Sequence, residues 1–366
     1  MYSKQFTVNY YMAKINRKNK KELLNDLDNE EFERKTCSFY RYVKILNPEE
    51  MRNKLISQWS NYKILGRTYI SVEGINAQIS VPKHLWNDFI LSLENYKEFK
   101  SMHIKKSVTE HQQSFIKLII RIKDKLVADG LKNSDYDFQN VGKHLSAIEF
   151  NNAMQDQNSI VVDMRNYYES EVGRFENAIC PDVPTFRDAL PEVKKQLKKN
   201  KNNKILLYCT GGIRCEKASA YLKHHGFKDV NQLNGGIIEY AHQMKKHNLK
   251  SKFVGKNFVF DYRMNEKITN DIISNCHQCD EPSSNHTNCN NQACHILFIQ
   301  CNNCFNKYNG CCSLECTKIM NLSKEEQKQI RKFPDKAAPL KKYQKNVKPR
   351  LKDLLKEHNK INKSNL

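Results

Sequence analysis

From residue 37 onward the apolar positions of this chain keep two rhythms in turn. Residues 37–45, Cys-Ser-Phe-Tyr-Arg-Tyr-Val-Lys-Ile, read as a strand. Asn47-Pro48 then supplies a helix cap and a proline at the first helical position. Met51, Leu55, Ile56 and Trp59 lay an apolar stripe along the helix that follows. Two strands, 67–72 and 75–81, flank Glu73-Gly74. Pro82 opens a second helix carrying Leu85, Phe89, Ile90 and Leu93, and 115–122 is the last strong strand. The order βαββαβ predicts a ferredoxin-like (acylphosphatase-like) α+β sandwich over 36–130. Residues 1–35 are polar and charged, an N-terminal extension with one strand and one helix.

Residues 130–144 are polar and punctuated by glycine, as a linker is. Over 145–245 short apolar runs alternate with helical patterns, which predicts an α/β domain with a parallel sheet. Its buried strands are 159–163, 205–208 and 231–233, the last ending in Asn234-Gly235-Gly236. Residues 246–322 form a Cys-rich C-terminal domain. It begins with a connector holding one strand-like run, 257–262, and its cysteines crowd into 276–316. A basic tail, 323–366, closes the chain.

Composition sharpens this division. At 366 residues, two or three domains are expected. The net charge of +21 predicts a polyanionic partner, with nucleic acid the usual one. The abundance of Lys, Asn and Ile, which an AT-rich genome also produces, lowers the weight of that charge. The tail carries 14 Lys/Arg against 5 Asp/Glu, as a phosphate-binding arm or a solvated end does. No stretch approaches eighteen consecutive apolar residues, so no membrane partner is expected. The N-terminus lacks the order of a signal peptide, so the cytoplasm is the expected location. Thirteen cysteines, odd in number and clustered, point to metal or redox chemistry instead of disulfides.

The most informative segment is Cys209-Thr210-Gly211-Gly212-Ile213-Arg214-Cys215. A buried strand leads into it and a helix leads out. Glycines let the loop curl with its N–H groups inward, and the helix N-terminus and Arg214 add positive charge. All three favour thiolate at Cys209, the candidate nucleophile, with Arg214 as loop anchor. Thr210, Gly211, Gly212 and Ile213 separate Cys from Arg by four residues, one fewer than cysteine phosphatases use. That length resembles the rhodanese loop of sulfurtransferases and implies a persulfide, R–S–S⁻, at Cys209. Asp163 and Arg165 stand where rhodanese-like domains carry an Asp-x-Arg pair. They either organise the loop electrostatically or are a capping aspartate and a surface arginine. Tyr168, Glu169 and Gly173 continue the resemblance. Cys215 either resolves Cys209 or packs, and packing is expected; Cys180 is expected to be structural.

The C-terminal cysteines have metal spacing. Cys276-x2-Cys279 and Cys301-x2-Cys304 are two knuckles that together close a tetrahedral site, the first candidate set. His286, Cys289, Cys294, Cys311, Cys312 and Cys316 supply candidates for a second. The histidine among them favours structural zinc over an iron–sulfur cluster.

With these parts in place, nearly the whole chain resembles the rhodanese-like tRNA wobble-uridine hydroxylases. The most specific segments are 208–219 and Asn234-Gly235-Gly236-Ile237. Gly66-Arg67-Thr68-Tyr69, Glu73-Gly74-Ile75-Asn76, Phe298-Ile299-Gln300-Cys301 and Tyr308-Asn309-Gly310-Cys311-Cys312 are similar too. The resemblance implies an oxidoreductase that hydroxylates C5 of the first anticodon uridine of tRNA to 5-hydroxyuridine. Dioxygen is the implied co-substrate, the tRNA anticodon region the partner, and Cys209 the persulfide cysteine; no DNA partner is expected. Ser283 stands where the family's segment leads one to expect a further cysteine, which weakens the second metal set. No dinucleotide fingerprint, haem motif or 2-His-1-carboxylate pattern is visible, so no organic cofactor is identified. Two alternatives remain open: a rhodanese-type sulfurtransferase using Cys209 and Arg214, and an RNA-binding adaptor with the fold as scaffold.

Overall fold

The computed structural model describes residues 18–109, 113–132, 135–340 and 349–364. A helix, α1 (Lys20–Asp28), is capped by Asn19 and precedes the first sheet. The strand expected in the extension is not found over 18–33, and residues 1–17 lie outside the described residues.

The first domain orders five strands as β4-β1-β3-β2-β5. They are β1 (Arg34–Tyr42), β2 (Leu65–Ser71), β3 (Gly74–Pro82), β4 (Lys105–Lys106) and β5 (Leu118–Ile122). Helices α2 (Pro48–Asn61) and α3 (Trp86–Glu94) complete the domain. As the sequence implies, the Asn47 side chain accepts from the Glu50 N–H and Pro48 begins α2. Phe39 of β1, Trp59 of α2 and Phe89 of α3 meet edge-on or tilted in a buried core.

Two strand assignments change. The fourth strand of the ferredoxin-like order is the two-residue β4, antiparallel to β1. The expected last strand is instead an additional fifth one, β5, parallel to β2 at the opposite edge. Two adjacent lysines carry no alternation, so β4 is silent in the pattern. Pro82 ends β3 in an extended conformation, and one 3₁₀ turn, Lys83–Leu85, separates it from α3.

The second domain contains β6 (Lys143–Leu145), β7 (Ser159–Asp163), β9 (Lys204–Tyr208) and β10 (Asp229–Leu233). They form a parallel sheet ordered β6-β10-β9-β7. Helices α4 (Ala147–Ala153), α5 (Tyr167–Ser170), α6 (Phe186–Gln196), α7 (Ile213–His224) and α8 (Gly236–Lys246) accompany it. The stretch expected as a linker ends in β6. Upstream of that strand, the Gly142 N–H donates to Ser219 on α7.

Between β7 and β9 the chain makes β8 (Gly173–Phe175), which pairs with β11 (Phe253–Phe258) and thus stitches the third domain to the second. A Cβ at Gly173 would sit 2.2 Å from the Lys256 carbonyl oxygen, so only glycine lets the two backbones approach there. The connector strand therefore lies four residues earlier than the run 257–262, because its partner is β8 and not a local hairpin. Strand β12 (Asn265–Lys267) completes that sheet.

The Cys-rich unit holds the hairpin β13 (His286–Asn288) and β14 (Leu297–Ile299) with helices α9 (Asn302–Lys307) and α10 (Leu314–Met320). Part of the basic tail is not a free arm: Leu340, Leu351 and Leu354 pack against Ile296 and Phe298 of this unit. Residues 341–348 and 365–366 of the tail lie outside the described residues. No described helix is long and apolar enough to cross a membrane.

Candidate active site and metal centres

Strand β9 buries Ile205 through Tyr208 completely and delivers Cys209 at its carboxyl end. Gly212 takes a left-handed φ of 100° and α7 starts one residue later. The Gly212 N–H donates to Cys209 Sγ at 3.1 Å. The start of α8 seats the loop from the other side: Ile237 and Ile238 N–H donate to the carbonyls of Cys209 and Thr210. A Cβ at Gly236 would lie 2.5 Å from that Cys209 carbonyl, at a φ of 67°.

Burial alone would push the Cys209 thiol up. Donation from Cys215, the Arg214 charge and the N–H groups of Arg214 and Gly212 override it and bring the thiol down to about 6. Cys209 is therefore mostly thiolate at neutral pH. Burial and the neighbouring Cys209 hold the Cys215 thiol well above its ordinary value, so Cys215 serves as a hydrogen-bond donor to the thiolate. Cys180 points at the Ala178 carbonyl, and burial raises its thiol to about 11.

Arg214 does not reach across the loop alone. It forks onto Glu169 of α5, Nη1 to Oε1 at 2.7 Å and Nη2 to Oε2 at 2.8 Å, and both side chains are buried. Burial pushes the Glu169 carboxyl up, and the Arg214 guanidinium holds it below its usual range. Thr210 Oγ1 lies 3.4 Å from both partners. Glu169 was visible in the sequence only as part of a resemblance, with no role attached.

Asp163 and Arg165 form a fully buried ion pair at 2.6 Å, so Arg165 is not a surface residue. Its Nη2 also donates to the Gly173 carbonyl, and its guanidinium lies 5.6 Å from the Tyr208 and Phe253 rings. The pair ties the end of β7 to β8 and lies outside the lining of the cavity described next.

Cys209 opens onto a cavity of about 440 Å³ between the first and second domains, with a rim from the third. Thr210, Gly211, Ile213 and Arg214 form its floor. Tyr40, Arg67, Asn76, Gln78 and Lys105 come from the first domain, and Phe260 and Arg263 from the third. Tyr40 hydrogen-bonds Glu216 of α7 at 2.9 Å. Lys105 lies over the Tyr40 ring, 4.7 Å from its centroid, and is almost wholly buried. Burial pulls its ammonium down to about 8, against the raising effect of Cys209 and of Glu239, Cys37 and Glu216. A second contact locks the junction: Lys217 of α7 pairs with Glu73 at 3.0 Å and Asp129 at 2.8 Å. Pattern reading missed Tyr40, Lys105 and Lys217, because none has a local signature.

The cysteines segregate into two groups of four, each with its sulfurs within 4.8 Å of one another. Cys276, Cys279, Cys301 and Cys304 are the first set, as the knuckle spacing implies. The second is Cys289, Cys294, Cys312 and Cys316. Two candidates leave that set. His286 Nε2 bonds the Tyr168 carbonyl and its ring packs on Phe258, while Cys311 Sγ points to the Asn309 carbonyl. Ser283, whose hydroxyl donates to the Gln300 carbonyl, is not needed to complete either set. In each set, four converging thiols fit a closed, tetrahedral, thiolate-bound metal.

Three family models match the chain: a UPF0176 acylphosphatase-like domain over 34–126, a rhodanese-like domain over 146–243 and a "Rhodanase C-terminal" domain over 254–317. The tRNA uridine(34) hydroxylase of Leptospira interrogans is 55% identical over 313 residues, 85% of each chain. That of Hamiltonella defensa is 48% identical over 297 residues, 81% of this chain and 84% of its own. Among solved structures, a rhodanese-like domain protein from Staphylococcus aureus aligns with 27% of this chain and 90% of its own, at 26% identity and a TM-score of 0.23.

Proposed function

This chain belongs to the family of tRNA uridine(34) hydroxylases, and we propose that it hydroxylates C5 of the tRNA wobble uridine in the cavity above Cys209. The observation that carries this reading is a cysteine held as thiolate near neutral pH, facing a cavity of a size that takes a single flipped-out nucleobase. Uracil C5 is a poor nucleophile. Addition of Cys209 Sγ to C6 forms an S–C6 bond and moves the C5=C6 π pair toward C5 and O4, which makes C5 electron-rich. Dioxygen is the co-substrate in this reading. One oxygen atom replaces the C5 hydrogen and the other leaves as water, with two electrons and two protons from an external donor. Loss of the C5 proton and expulsion of Cys209 then restore the aromatic ring. Arg214, fixed by Glu169, holds the loop and its charge in place.

The metal in this reading is zinc, one ion per four-cysteine set, in a structural role. The basic surface and the tail supply phosphate contacts to tRNA, and the protein works in the cytoplasm, where that RNA is found.

The loop length, four residues between Cys209 and Arg214, favours one alternative, persulfide transfer. Nucleoside mass spectrometry separates the two. Cells carrying Cys209→Ser in place of the wild type should lose 5-hydroxyuridine derivatives from their tRNA and keep thiouridines. The reverse pattern would replace hydroxylation with sulfur transfer, and wild-type levels of both would end the nucleophile assignment.

A further inference from the structure

Lys105 is, among the described residues, the one lysine that lines the cavity holding Cys209. It comes from β4, the short edge strand of the first domain, and reaches the second domain's loop. A Cβ placed on Gly211 would stand 3.7 Å from its Cε, and one on Gly235 3.6 Å from its Cδ. It keeps only 3% of its surface exposed. Among the described residues its ammonium makes no ion pair or hydrogen bond to a carboxylate. Its close partner is the face of the Tyr40 ring. A buried lysine is costly unless paired, and surface lysines do not need such a seat. The groups that face it are Cys37 on β1, Cys209 in the loop, Glu216 on α7 and Glu239 on α8.

We propose that Lys105 is the acid of this site, giving a proton to the uracil O4 as Cys209 adds to C6. This rests on the addition step of the function proposed above. The balance is simple: the thiolate lone pair forms the S–C6 bond, and the C5=C6 π pair moves through C4 to O4. The Lys105 ammonium passes one proton to O4, leaving a neutral enol and a neutral amine. The amine takes the proton back when the adduct collapses. No oxidant or reductant enters the step. A proton donor at O4 spares this enclosed site the full enolate charge as it develops.

The acid and the nucleophile demand opposite protonation states. Cys209 is active above its value of about 6, and Lys105 below its value of about 8. Adduct formation should therefore rise through the first and fall through the second, a bell with its top near neutrality.

The test uses the full chain under nitrogen with unmodified tRNA transcribed to carry 5-fluorouridine. The rate of denaturant-resistant protein–tRNA adduct formation is followed from about pH 5 to about pH 10, a window that brackets both groups. Lys105→Gln should slow the adduct about 100-fold or more, in the range typical of a lost general acid. Its Cys209 should still alkylate with iodoacetamide with a midpoint near 6, as only the folded loop allows. Lys105→Arg keeps a charge at O4 but no titratable proton, so it should retain only part of the rate. Wild-type rates in Lys105→Gln overturn the role of the lysine alone. Absence of any adduct with the wild-type protein overturns addition at C6, and this proposal with it.

Discussion

At the scale of single residues, the fork between Arg214 and Glu169 does two things, and they separate by experiment. It holds a cation beside the Cys209 thiolate, and it neutralises a carboxylate that is wholly buried. Arg214→Ala removes the cation and strands the carboxylate. Chemical denaturation should show a loss of about 3–5 kcal/mol, the usual cost of breaking a buried pair. The pH dependence of iodoacetamide alkylation should shift upward from about 6, since the thiolate loses a favourable charge. Glu169→Gln with Arg214 intact should destabilise less and leave Cys209 at least as acidic. Identical alkylation profiles for wild type and Arg214→Ala would show that the arginine does not tune the thiol. Cys209 and Arg214 were legible because one heptad carries nucleophile, glycines and cation together. Glu169 lies 45 residues from Arg214 along the chain and Lys105 more than a hundred from Cys209, and no local pattern announces such a pairing.

At the scale of elements, cysteine spacing anticipates one of the two clusters that the fold assembles, for a physical reason. A Cys-x2-Cys knuckle sets its own geometry, so Cys276, Cys279, Cys301 and Cys304 followed from spacing. The second set draws Cys289 and Cys294 from around the β13–β14 hairpin and Cys312 and Cys316 from the start of α10, and only the fold tells Cys312 from the adjacent Cys311. With His286 excluded, the case for zinc rests on the closed four-thiolate geometry and no longer on a histidine in the donor set. Two zinc equivalents per chain are expected by elemental analysis. Cys294→Ser should lose one equivalent and His286→Ala none. Stripping both should unfold 276–316 by hydrogen exchange while β7, β9 and β10 stay protected, because a short hairpin and two-turn helices bury too little to fold unaided. A metal-free chain fully protected over 276–316 would remove the structural role. The strands show the same division. Apolar strands of five residues or more, such as β9, were legible, while β4, β6 and β8 were not, being two or three residues long and defined by their partners.

At the scale of the whole molecule, the cavity above Cys209 exists only because the first and second domains meet, and the boundaries drawn along the sequence hide that. The stretch leading into the expected linker carries Asp129, which lies fully buried against Lys217 of α7 while Glu73, from the turn between β2 and β3, closes the other side. This ion cluster clamps the first domain over the Cys209 loop. Lys125 also pairs with Asp129, so that carboxylate keeps one partner when Lys217 is removed. Lys217→Met should therefore fold but dock loosely. Cys209 should alkylate faster at a fixed pH above its titration, because Tyr40 and Lys105 withdraw from over the loop. Amides over 126–132 should exchange faster, while those of β9 and β10 should not. Hydroxylation should fall even though Cys209, Arg214 and Glu169 are intact, since the substrate's ceiling is lost and not its nucleophile. Unchanged alkylation together with unchanged exchange in Lys217→Met would show that the cavity is held shut by the apolar contacts of the junction and not by the buried lysine.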